Sequence, residues 1–254
     1  MSQWICFKLS GKTAIVTGAG RGLGKSLAIG LAQAGANVAL VTNSTPAEGV
    51  QAEIKRLGRE ALMIQANVAD RSKLAGIIEQ TVHELGGLDI FVNNAGIIRR
   101  TPAAEHDYAD WQAVLDVNLN SVFVLSQLAG KYMIGQKSGK IINIASMLSF
   151  QGGIHVPGYT SSKHAIAGLT KALANEWGSH GVQVNAIAPG YMSTDNTEAL
   201  RNDPVRSSQI LERIPAGRWG TPDDLIGPVV FLASAASDYM NGHVLCVDGG
   251  WMAR

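Results

Sequence analysis

Lys12-Thr-Ala-Ile-Val-Thr-Gly18-Ala-Gly-Arg-Gly22-Leu-Gly24 is an apolar stretch that runs into a glycine-rich turn, and an Ala/Leu-rich segment of helical character follows it. A strand that ends in such a turn and re-enters a helix gathers backbone N–H groups at the positive end of the helix. That arrangement suits a pyrophosphate. The spacing is GxxxGxG through Gly18, Gly22 and Gly24, because in the commoner GxGxxG register Leu23 would occupy the third glycine's place. A glycine-rich loop can also do no more than connect a strand to a helix. The order strand, turn, helix favours the binding role.

Working outward, apolar strand candidates fall at 13–18, 37–42, 61–66, 89–93, 140–145, 182–188 and 244–247, with helical patterns between them. Near-continuous apolar strands alternating with helices indicate a parallel sheet buried on both faces. The expected fold class is therefore α/β, a single-domain, Rossmann-type, doubly wound parallel sheet of about seven strands with helices on both faces, spanning residues 1–254. Ligands of such sheets bind beyond the carboxyl ends of the strands, where the Gly18 turn, Asn93, Ser146 and Pro189 all fall. Residues 191–220, with Pro204, Pro215 and many polar side chains, are expected to be an irregular, mobile cover over a substrate.

Composition narrows the function. The 46% hydrophobic content supplies a large core, and 16% charged residues with a net charge of +1 argue against nucleic acid or membrane as the main partner. Cys6 and Cys246 are too few and too scattered for a disulfide framework or a metal site, and no metal is expected; a reducing cytoplasm fits best. The apolar Trp4-Ile-Cys-Phe7 is far shorter than a signal-peptide core, and no stretch is expected to approach a membrane span.

The chemistry-bearing pattern is Tyr159 followed four residues later by Lys163, with Ser146 at the end of an apolar strand. On a helix, i and i+4 share a face, which sets the phenol beside the ammonium. A free tyrosine titrates near ~10, and a close cation favours the phenolate and lowers that value. Such a tuned group can give a proton to, or take one from, a substrate oxygen. A tyrosine and lysine at this spacing also occur by chance on solvated helices, and the surrounding motifs weigh against that alternative.

Taken together, Thr17 to Gly24, Asn93-Asn-Ala-Gly96, Asn118, Ser146, Tyr159-x-x-x-Lys163 and Pro189-Gly190 resemble the short-chain dehydrogenase/reductase family, from about Leu9 to Arg254. Within it, Ile97-Ile-Arg-Arg100, the segment 141–153, Ala188-Pro-Gly-Tyr-Met192 and Arg213-Ile-Pro-Ala-Gly-Arg-Trp-Gly220 are similar to the 2-dehydro-3-deoxy-D-gluconate 5-dehydrogenases. The resemblance implies Tyr159 as acid/base, Lys163 lowering its pKa and binding the nicotinamide ribose, Ser146 steadying the substrate oxygen, and Asn118 holding a proton-relay water. It further implies that Gly18, Arg21, Gly22, Leu23 and Gly24 hold the cofactor, with Thr42, Asn43, Asn67 and Val68 at its adenosine end. Asn93 and Gly96 would flank a ribose, and Pro189, Gly190, Met192 and Thr194 the nicotinamide. Asn67 stands where the family commonly has an aspartate.

Cofactor choice stays open. Val41-Thr42-Asn43-Ser44 offers no acid to bind the ribose hydroxyls, and Arg21 could pair with a 2'-phosphate, whereas the subgroup resemblance implies NAD; NAD is preferred and NADP kept. For substrate, Arg99 and Arg100 follow the fourth strand, and guanidinium forks suit a carboxylate. Arg99 is expected to face the pocket, with Gln151, His155, Tyr191 and Asn196 as hydroxyl partners. These residues fit a small sugar acid. A 3-oxoacyl-thioester reductase shares the catalytic set and stands as the alternative enzyme, and a non-catalytic cofactor-sensing scaffold as the alternative of another class. The resemblance also implies a homotetramer contacting through helices at 108–136 and 158–178 and the carboxyl-terminal segment.

Overall fold

In the computed structural model, which describes residues 5–254, seven strands form one parallel sheet: β1 (Thr13–Thr17), β2 (Asn37–Thr42), β3 (Ala61–Gln65), β4 (Ile90–Asn93), β5 (Gly139–Ile144), β6 (Val182–Pro189) and β7 (Val244–Val247). Their order is β3-β2-β1-β4-β5-β6-β7. All five residues of β1 are buried, as its unbroken apolar run requires of a central strand with β2 on one side and β4 on the other. Seven strands arise at the seven expected places, with ends shifted by no more than about one residue.

The helices are α1 (Gly22–Gln33), α2 (Glu48–Arg56), α3 (Leu74–Leu85), α4 (Tyr108–Leu115), α5 (Ser121–Gln136), α6 (Pro157–Trp177), α7 (Glu198–Asn202), α8 (Pro204–Arg213) and α9 (Ile226–Ala233). Leu27, Leu31, Val50, Ile54, Val229 and Leu232 build a core from α1, α2 and α9 on one face of the sheet. Ile77, Leu125, Ala129, Met133, Leu173 and Trp177 build the opposing core from α3, α5 and α6. Burying a side chain of this size contributes ~1.5–3 kcal/mol, so each layer can hold its helices on the sheet. Between β1 and β4 the chain order reverses, and the crevice left there at the carboxyl ends is where a doubly wound sheet takes its ligand.

Two expectations need correction. Residues 191–220 are not simply irregular. Asp203 caps α8 by accepting from the N–H groups of Val205 and Arg206, and Pro204 sits at the first helical position, where its missing N–H costs nothing. One stretch does reach membrane-spanning length and composition: Tyr108–Gln136 is a continuous helical run, α4 and α5 joined by a π turn at Asp116–Asn120. It packs on α3, α6, β4 and β5, with 44% of its most apolar stretch buried against them. Trp4 lies outside the described residues, and Ile5–Phe7 form a 3-10 turn.

Candidate active site

A cleft of about 410 Å3 opens at the switch point. Its floor is the glycine turn, where Gly18 takes φ +66° and a Cβ on Gly24 would stand 2.1 Å from the Gly18 carbonyl oxygen. Only glycine permits so close a return of the chain. The α1 N-terminus has no side-chain cap and no acid in its first turn, so its N–H groups and dipole are left for an anion. Arg21, Gly22 and Leu23 complete this wall; Thr42, Asn43, Ser44 and Thr45 form an uncharged end beside β2; Asn67 and Val68 lie across from them. These residues fit a nicotinamide dinucleotide, with pyrophosphate on the turn and adenosine toward β2. The Oδ1 of Asn67 accepts from the Ala69 N–H at 3.1 Å, so the acceptor kept at that position already serves its own loop.

Several expected cofactor residues lie elsewhere. Asn93 is buried and donates to Asn143 Oδ1 at 2.9 Å and Ser126 Oγ at 3.0 Å, a polar rung between β4, β5 and α5. Its neighbour Asn94 lines the cleft instead, its Nδ2 donating to the Thr17 carbonyl at 2.8 Å, because consecutive residues of an extended chain face opposite ways. Gly96 is on the cleft wall as expected. Pro189 and Met192 are buried off that wall, Met192 bridging to Gly220; Gly190 borders the neighbouring cavity and Thr194 the cleft.

At the inner end of the cleft the fold brings together Ser146, Tyr159 and Lys163. Ser146 ends the loop after β5, its Oγ accepting from Leu148 N–H at 3.1 Å, while Tyr159 and Lys163 occupy successive turns of α6. The Lys163 Nζ lies 5.5 Å from the Tyr159 ring centroid and donates to the Ile144 carbonyl at 2.5 Å. Burial pushes Lys163 down to about 8, since an ammonium loses hydration there. Burial also pushes the Tyr159 phenol up, against the opposing pull of a Ser146 hydrogen bond and the Arg100 charge. The net direction is opposite to the sequence expectation, because desolvation outweighs the charges around the phenol.

Asn118 is 1% exposed and lies in the π turn, an element that often marks functional sites. Its Oδ1 accepts from Ile97 N–H at 2.8 Å and its Nδ2 donates to the Ile97 carbonyl at 2.9 Å. Both ends of the amide clamp the segment after β4 that borders the cleft. The Nδ2 also donates to Ser162 Oγ at 3.3 Å, so the same amide ties this segment to α6, and Oδ1 keeps a second lone pair.

Beyond Tyr159 a second cavity of about 860 Å3 opens between the β5 and β6 ends and the cover. Ser146, Gln151, His155, Tyr191 and Asn196 line it, as expected. Arg99 does not: its Nε donates to Asp110 Oδ1 at 3.0 Å on the outer side. Arg100, one residue on, faces the cavity and donates to the Asn196 carbonyl at 3.0 Å, the alternation of an extended segment having placed the pair the other way round. Arg206 and Arg213 of α8 and Trp251 also line the cavity, and none of these was anticipated. Residues 206, 210 and 213 follow an i, i+4, i+7 pattern that would have placed the two arginines on one face once α8 was recognised. Among the described residues, no Asp or Glu borders the cavity.

Comparison with known proteins extends this geometry to the whole chain. The family model for short chain dehydrogenases matches residues 12–205. The 2-dehydro-3-deoxy-D-gluconate 5-dehydrogenase of Escherichia coli (strain K12) is 53% identical over 249 residues, 98% of either chain, and that of Bacillus subtilis (strain 168) 54% over 250 residues, 98% of this chain and 97% of the relative. A crystal structure of a gluconate 5-dehydrogenase from Burkholderia cenocepacia J2315, in complex with NADP and tartrate, superposes with a TM-score of 0.94 at 40% identity, covering 98% of both chains. Likeness of this extent reaches both sheet faces and the cover as well as the glycine turn, and this chain belongs to the short-chain dehydrogenase family.

Proposed function

We propose that this NAD(P)-dependent oxidoreductase interconverts a secondary hydroxyl and a ketone on a hexonate-type sugar acid of the 2-dehydro-3-deoxy-D-gluconate class. One observation carries the reading to substrate level: the cavity beside Tyr159 is lined by Arg100, Arg206 and Arg213 and by no carboxylate. A pocket that gathers guanidiniums and excludes acids selects an anion, and the named relatives are sugar-acid dehydrogenases.

When bound, the dinucleotide supplies or accepts the hydride. The chain's own groups do the rest. Ser146 holds the substrate oxygen, and Tyr159, which lines both the cleft and the cavity, exchanges the proton with it. Because burial keeps the phenol protonated at neutral pH, Tyr159 is set to protonate a ketone, and alcohol oxidation calls for more alkaline conditions. Lys163 presents buried N–H donors beside the ring, suited to a ribose hydroxyl. The uncharged β2 end and Arg21 admit a 2'-phosphate, so both NAD and NADP fit.

Nicotinamide absorbance with a panel of keto sugar acids, neutral ketoses and an acyl thioester tests this. Turnover confined to the acids supports it, and turnover on the thioester with none on the acids overturns it. The cover is taken to move with substrate. A homotetramer in the cytoplasm fits the family, with Tyr108 and Phe123 leaving exposed apolar surface on α4 and α5 for contacts; light scattering reads the mass.

A further inference from the structure

We propose that Arg206, supported by Arg213, is the carboxylate anchor of the substrate cavity, so that the cover helix α8 selects acids and sets how far the reacting carbon lies from the acid group. This rests on the sugar-acid reading above.

Arg206, Ile210 and Arg213 occupy one face of α8, and Ile210 is 3% exposed, packed with Met147 and Trp251. Met147 directly follows Ser146 in the chain, so the face carrying both arginines is pinned against the loop that holds the substrate oxygen. The three cavity arginines differ in what already occupies them. Arg100 donates to the Asn196 carbonyl, and the Arg213 guanidinium carbon lies over the Trp251 ring, 4.1 Å from its centre. Arg206 is partly buried and, among the described residues, its hydrogen-bond partner is the neutral Gln209 Oε1, at 3.3 Å. A guanidinium with a neutral partner, on a cavity that Asp and Glu do not border among the described residues, is the one best placed to gain from a carboxylate.

The charges also fall at different places. Arg100 acts on the phenols of both Tyr159 and Tyr191, whereas Arg206 and Arg213 act on Tyr191, whose ring sits against Trp219 and Trp251. A carboxylate on Arg100 would lie close to the reacting centre. One on Arg206, with the Tyr191 hydroxyl able to donate to it, would lie across the cavity and bring a carbon several bonds away to Tyr159.

Steady-state kinetics of the full-length enzyme with Arg206→Ala, Arg206→Lys, Arg213→Ala and Arg100→Ala decide the point. The substrates are keto acids with the ketone next to the carboxylate or several carbons from it, together with a neutral ketose. Wild type should prefer the distal keto acid. Arg206→Ala should raise KM for that acid at least tenfold, leave the neutral ketose and cofactor affinity within about twofold, and lose the positional preference; Arg206→Lys should restore part of it, and Arg213→Ala should show a smaller loss. Loss of acid selectivity in Arg100→Ala but not in Arg206→Ala overturns the anchor while leaving the sugar-acid reading intact. Equal losses on acid, ketose and cofactor in Arg206→Ala would mean a structural role and also overturn it. A wild type indifferent to the carboxylate would instead remove the sugar-acid reading itself.

Discussion

Lys163→Met should silence the enzyme without unfolding it, and should remove a specific pH dependence of stability. The ammonium is buried and its pKa is lowered from 10.5 to about 8, which corresponds to about 3 kcal/mol favouring the neutral amine in the folded state. Methionine is free of that desolvation cost but leaves the Ile144 carbonyl without its donor, a loss of about 1–3 kcal/mol. The two nearly cancel, and the variant should lie within roughly 2 kcal/mol of wild type at neutral pH. The sign with pH is definite. Above the folded value of about 8 the native lysine releases its proton, while the unfolded chain keeps one up to 10.5, so the unfolded state binds more protons and wild-type stability rises with pH. The burial cost is present in full below about pH 8 and is relieved as pH climbs toward 10.5. Between about pH 8 and about pH 9.5, wild type should gain about 2 kcal/mol relative to the variant. Urea denaturation without cofactor, followed by tryptophan fluorescence at one protein concentration, measures the difference at each pH. Below about pH 10 the Tyr159 phenol stays protonated in both proteins and cancels. A difference that stays flat from pH 7 to 9.5 would show that Lys163 is not a buried ammonium of lowered pKa, and the argument for its role would fall with it.

Four further outcomes follow from the same structure. Tyr159→Phe should lower turnover by about 10²- to 10⁴-fold while cofactor affinity, read by fluorescence quenching, stays near wild type, since the phenol acts on the proton. Because burial raises the Tyr159 pKa, ketone reduction should hold its rate at neutral and mildly acidic pH while alcohol oxidation climbs on the alkaline side; parallel profiles in the two directions would exclude the phenol as the proton carrier. Arg21 is ion-paired to Asp195 at 2.8 Å on an exposed surface, so Asp195→Asn should free it and tighten NADP several-fold with NAD little changed, and Arg21→Ala should weaken NADP selectively; equal effects on both cofactors in a binding titration would remove Arg21 from 2'-phosphate recognition. Asn118→Ala should destabilise the fold by about 2 kcal/mol or more, because the Ile97 N–H and carbonyl lose their side-chain partners, and denaturant midpoints check it.

The β1 strand, the Gly18 turn and the Tyr159–Lys163 spacing were legible in the sequence because their physics is local. An apolar run makes a buried strand, a left-handed φ wants glycine, and four residues make one helical turn. Strand positions followed for the same reason, and with them the end of the sheet where the site lies. What tertiary structure decided was direction and competition. Whether Asn93 or Asn94 meets the cleft, and Arg99 or Arg100 the cavity, depends on a one-residue phase at the end of β4 and in the segment after it, which Asn143 and Ser126 fix at the first pair and Asp110 at the second. The pKa of Tyr159 depends on how far burial outweighs neighbouring charges, a sum over the surrounding fold that no spacing encodes. Arg206 and Arg213 join the cavity only because Asp203 and Pro204 start a helix whose buried Ile210 turns both toward it, and that packing exists only once the cover has folded onto Met147 and Trp251.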